Sequence, residues 1–132
     1  IFQNNPVGAV ATLERVGVGE VFLIAGQSNG QGLDPATQPG QPESTDDRVN
    51  VLAWHNATNA LGDPPRPEFA KLTNSLYGLH GFGSWNWGVL GDLLAARLNV
   101  PVLFINSAFG ATTVNNWVES AQGQRTQNIY CM

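Results

Sequence analysis

Ser28 stands in Gly-Gln-Ser-Asn-Gly at 26–30, directly after the apolar run Val-Phe-Leu-Ile-Ala at 21–25. A serine between two glycines at the end of a strand exposes its hydroxyl on a tight turn. Acyl transfer needs its nucleophile in that placement. A second glycine turn, Gly110-Ala111-Thr112-Thr113, follows a second apolar run, Val-Leu-Phe-Ile-Asn at 102–106. If the two runs are neighbouring parallel strands, both turns lie on one rim, where ligands of open α/β sheets sit. The backbone N–H groups of Ser28 and Gly110 would then form a pair aimed at a developing oxyanion. The competing reading is that Ser28 and Asn29 are ordinary turn residues, because Ser and Asn between glycines are common in loops.

The elements that must position these residues follow from the apolar pattern. The run at 20–26 is apolar on both faces, which suits the middle of a parallel sheet covered by helices. Residues 30–48, rich in Gly, Pro, Gln and Asp, read as a long loop, and 48–54 as a short edge strand. Residues 84–98 read as a helix, with Ser84 at its start and Trp87, Leu90, Leu94 and Leu98 at three- and four-residue spacing. Asn99 and Pro101 stop it. Strand, loop, helix and strand make a crossover unit, hence the α/β class with a parallel sheet. The alternating stretch 9–16 suggests a further strand, so residues 1–17 read as a strand or linker from an upstream β module. Residues 18–132 read as the first part of a domain, since only two core strands are visible.

Composition excludes several classes. Hydrophobic residues make up 42% of the 132 and charged residues only 12%, and the net charge of −4 comes without a Lys/Arg cluster. A nucleic-acid partner is therefore not expected, nor is a membrane span, because the apolar runs are too short. One cysteine (Cys131) and two histidines (His55 and His80) offer neither an internal disulfide nor metal-ligand spacing, so no metal is expected. A neutral, polar substrate fits this balance best.

The two glycine-bounded blocks carry a resemblance. Glu20 to Gly32, EVFLIAGQSNGQG, resembles the GQSN block of SGNH (GDSL-like) hydrolases of the sialate O-acetylesterase and acetylxylan esterase type. Residues 84–117, SWNWGVLGDLLAARLNVPVLFINSAFGATTVNNW, are similar to that family's helix, second strand and GGT…W segment. The likeness covers roughly residues 18–118. It implies a flavodoxin-like, three-layer α/β/α fold and a secreted or periplasmic serine esterase that removes O-acetyl groups from carbohydrate without a cofactor. It implies Ser28 as nucleophile, and Ser28 and Gly110 as oxyanion donors. Gln27 and Asn29 would shape the turn or position the acyl group, and Trp117 would stand at the rim. The α/β-hydrolase elbow is a poorer match, because its oxyanion loop precedes the serine and nothing like it does here.

Two substitutions and one missing block set this chain apart. Ala111 replaces the second glycine of GGT and is expected in an ordinary backbone conformation. Gly30 stands where a small residue or Met is common. No D-x-x-H occurs, so the general base and a Gln or Asn oxyanion block would lie beyond Met132. Without a base the serine hydroxyl is a poor nucleophile at neutral pH. Two rival readings follow: a carbohydrate-binding domain that lacks catalysis, and a half-domain completed by a second chain that supplies the D-x-x-H. Trp54, Trp85, Trp87 and Trp117 could each stack on sugar, although Trp87 reads as a core residue. Asn56-Ala57-Thr58 fits a glycosylation acceptor, and chance is the safer explanation. His80 reads as an exposed loop residue, and Asp46 and Asp47 as a solvated turn.

Overall fold

The computed structural model describes residues 16–34, 36–38, 41–53, 68–75 and 81–123. In chain order they form β1 (Glu20–Ile24), α1 (Ser28–Gln31), β2 (Val49–Leu52), β3 (Phe69–Lys71), α2 (Trp87–Leu98), β4 (Val102–Asn106) and α3 (Val114–Ala121). The expected strand at 9–16, His55, His80, Trp54 and the Asn56 motif lie outside the described residues, apart from Val16.

The four strands make one open sheet in the order β1-β4-β2-β3. β1 lies parallel to β4, with Glu20 opposite Val102 and Ile24 opposite Asn106, so the two glycine turns leave the same end of the sheet. β2 is also parallel to β4, whereas β3 is antiparallel to β2. The fold is thus mixed α/β, and among the described residues it has three helices; the expected parallel pairing holds for β1, β4 and β2, and the antiparallel β3 corrects the expectation of a parallel sheet throughout. Three residues, Phe69-Ala70-Lys71, carry no periodic signal from which β3 could be read.

Two further expectations change. β2 is not an edge strand; it sits between β4 and β3 and buries Val49 and Val51. β1, expected in the middle, is the edge strand of the described sheet. Its Ile24 is buried, but Val21 and Leu23 on the opposite face are 60% and 64% exposed. An apolar pattern on both faces does not by itself say what covers each face.

The core lies on the other face, where Val49, Val51, Val102 and Phe104 are buried beneath α2. Each buried aliphatic or aromatic side chain of this kind contributes roughly 1.5–3 kcal/mol. The helix meets the sheet closely at Gly91 and buries Ala95, with Trp87 and Leu94 packed beside them, while Gly88 lies against the backbone of residues 42–44. A Cβ on Gly91 would fall 2.4 Å from Val49 Cγ1 and 3.0 Å from the Phe104 ring. The close approach selects small residues, which turns Leu90 and Leu98 outward. Trp87 does pack on the core, its ring 5.9 Å from Phe104.

The helix ends partly as expected. Asn99 takes the left-handed conformation, φ 54°, and its N–H bonds to Ala95 O at 3.0 Å. Ser84 is not a side-chain cap. Its carbonyl accepts from Trp87 and Gly88 N–H, while its buried hydroxyl donates to Asn74 Oδ1. Asn86 occupies the cap position without a side-chain hydrogen bond.

Candidate active site

The pairing of β1 with β4 runs on past both strands and brings the turns together. Ile24 O accepts from Ser107 N and Ser107 Oγ, at 2.9 and 3.0 Å, and Gly26 O accepts from Phe109 N at 3.0 Å. Gly26, with φ +150°, turns the chain out of the sheet without the steric cost a side chain would bring. Residues 28–31 then coil into the single turn α1, where the sequence had suggested that a loop begins at Gly30.

Every carbonyl oxygen from Gln27 to Gln31 has a donor. Gln27 O accepts from Gly30 and Gln31 N–H, and Ser28 O from Gly32 N–H, each at 2.9 Å. Asn29 O accepts from the Trp85 indole at 3.0 Å. Gly30 O accepts from the Trp87 indole at 3.1 Å and from Asn106 Nδ2 at 2.9 Å. Gln31 O accepts from Phe82 N–H at 2.9 Å. A turn held by five consecutive satisfied carbonyls has little freedom to rearrange. Trp85 takes φ +40° in reaching it, an unfavourable conformation for a bulky residue that costs of order 1–3 kcal/mol.

Ser28 is exposed, and its hydroxyl donates to Gln27 Oε1 at 2.9 Å. An amide oxygen accepts a hydrogen bond but is no base at neutral pH, so this contact orients the hydroxyl without activating it. The described residues include no histidine. The N–H groups that open a helical turn have no acceptor within it, which leaves the Ser28 N–H suited to an oxyanion.

Gly110 lies against the serine turn as its place in the sequence suggests. A Cβ built on it would stand 4.0 Å from Ser28 Cβ. Its N–H, however, donates to Gln31 Oε1 at 2.8 Å. Gln31 carries no signal of its own in the sequence, and its burial, 9% exposed after the exposed run Gln27–Asn29, is what marks it structurally. Trp85 and Asn106 were likewise not assigned to the serine turn. Asn29 is exposed, and its carbonyl tie to Trp85 is one of the five that hold the turn.

The second turn is fixed from its far side. Trp117 is half-buried and donates its indole N–H to Thr112 Oγ1 at 3.3 Å, and the Thr112 hydroxyl bonds Phe109 O at 2.6 Å. Ala111 has φ +61°, in the left-handed region, so the expected ordinary backbone is corrected. α3 then starts from Thr113, which exchanges capping hydrogen bonds with Asn116.

The perturbed acids stand elsewhere. Burial raises the Asp92 carboxyl, but hydrogen bonds from Ser44 Oγ, Thr45 N–H and Oγ1, and Asp46 N–H outweigh it and bring it to about 2. Asp46 is lowered chiefly by the Arg48 side chain, 2.7 Å away. Both acids hold the segment entering β2, at the end of the sheet opposite Ser28, so Asp46 is part of a built turn. Among the described residues no cluster of His, Cys, Asp and Glu could hold a metal ion, and no helix is long and apolar enough to cross a membrane. No family model, curated protein or solved structure matches the chain.

Proposed function

We propose that this chain carries the nucleophile half of a serine esterase of the SGNH type, with a flavodoxin-like arrangement, acting on O-acetylated carbohydrate. The observation that carries the reading is the juxtaposition of Ser28, exposed on a fully tied turn, with the Gly110 turn on the adjacent parallel strand. Ser28 Oγ attacks the acetyl carbonyl carbon while its proton passes to a base outside the described residues. The ester C–O bond breaks, the sugar oxygen takes that proton, and acetyl-Ser28 remains. Water then releases acetate and restores the serine. The Ser28 N–H faces the oxyanion; the Gly110 N–H, implied as its companion, is engaged by Gln31. The low charge and half-buried Trp117 suit a neutral sugar, and a secreted or periplasmic setting suits that substrate.

A second reading has a specific observation in its favour. Val21 and Leu23 leave an apolar face at the sheet edge, as expected if another segment or a partner chain completes the sheet and brings the base. The test for both is acetyl-ester hydrolysis by the protein at its native length, with Ser28→Ala beside it. Loss of hydrolysis in the variant supports the esterase. Equal hydrolysis in both refutes it, and sugar affinity that survives the substitution marks a binding domain.

A further inference from the structure

Gln31 joins three segments that are far apart in sequence. Its N–H bonds Gln27 O within the serine turn, its carbonyl accepts from Phe82, and its side-chain oxygen accepts from Gly110. A buried amide is costly unless its polar atoms are bonded, so the Gly110 bond holds the side-chain oxygen while the backbone bonds fix the residue that carries it. The space beside Gly110 is filled to match, because a Cβ there would fall 2.9 Å from Gln31 Oε1.

We propose that Gln31 is a positioning residue for the acyl-transfer reaction, acting through Gly110. This inference rests on the esterase reading above. By taking the Gly110 N–H, Gln31 fixes the height of the second turn over Ser28, and the acyl group is seated against that turn. The bare Cα of Gly110 admits the Gln31 oxygen, and the Gly110 N–H is spent on holding the turn. A buried, locked acceptor differs from a plug that substrate displaces, and the two give opposite outcomes.

The test uses the protein at its native length with Gln31→Met and Gln31→Glu. Methionine keeps the length and removes the acceptor; glutamate keeps an acceptor oxygen and adds a titrating charge. Three readouts are taken: amide hydrogen exchange at Gly110, kcat and KM for an aryl acetate, and the pH profile. In Gln31→Met, Gly110 loses its protection and kcat falls about tenfold or more with KM little changed. In Gln31→Glu, Gly110 stays protected, and kcat falls further as pH rises through the new carboxyl's titration. A purely structural role would not produce that new limb in the profile. Unchanged kcat in Gln31→Met, a rise in kcat, or a Gly110 amide still protected there each overturns the inference while leaving the esterase reading intact. A wild-type protein without esterase activity overturns both, and the exchange data then report only a structural bond.

Discussion

The Ser28 hydroxyl donates its hydrogen bond to the Gln27 side-chain oxygen, 2.9 Å away. On the proposed esterase reading, the nucleophile is therefore oriented by its own neighbour and takes its base from elsewhere. Because the contact is exposed, its net worth is about 1 kcal/mol. Gln27→Leu should change the rate of Ser28 acylation by no more than about fivefold, measured with an aryl acetate. A loss of about a thousandfold would show that Gln27 is itself indispensable to the chemistry.

Asp92 gives a pH dependence of stability with a definite sign. Its folded carboxyl sits at about 2, against an ordinary value of 3.8. The stabilisation is therefore present above the unfolded value and is lost as pH falls from about 4 towards 2. At 1.36 kcal/mol per unit the upper bound is about 2.5 kcal/mol, less after solvent screening of this partly exposed group. Urea midpoints for wild type and Asp92→Asn should differ at pH 6 and converge near pH 2. A gap that persists at low pH would contradict the assignment.

Ala111 is held at φ +61°, where a side chain is disfavoured by roughly 1–2 kcal/mol and glycine is not. Glycine adds entropy to the unfolded chain, which offsets part of that gain. Ala111→Gly should therefore stabilise by about 0.5–1 kcal/mol in chemical denaturation. Destabilisation would mean that the turn is not left-handed.

Gly91 tests the packing of α2. Its absent Cβ is what allows Val49 and Phe104 to approach, and Gly91→Ala should cost about 1–3 kcal/mol by overpacking, despite alanine's better helix propensity. A thermal melt that shows stabilisation would contradict the described helix–sheet contact.

The same residues show what could be read from sequence. β1, β4 and α2 were legible because long apolar runs and a clean stop at Asn99 and Pro101 leave few alternatives. The identity of α2's buried face was not. Hydrophobicity favours all the leucines, whereas the close approach to the sheet selects Gly91 and Ala95 and leaves Leu90, Leu93 and Leu98 exposed. The mixed sheet was hidden in Phe69–Lys71, too short to show a period. The closeness of the Ser28 and Gly110 turns was legible because glycine turns after two apolar runs announce themselves. The Gly110 partner was not, since Gln31 in a run of Gly, Asn and Gln looks like any loop amide until the fold buries it.

The most direct test of the account is covalent modification of Ser28. The protein at native length is treated with a fluorophosphonate, digested, and the adduct located by mass spectrometry. The account predicts one adduct, on Ser28, absent in Ser28→Ala. No adduct, or an adduct on another serine with Ser28 unmodified, would contradict it.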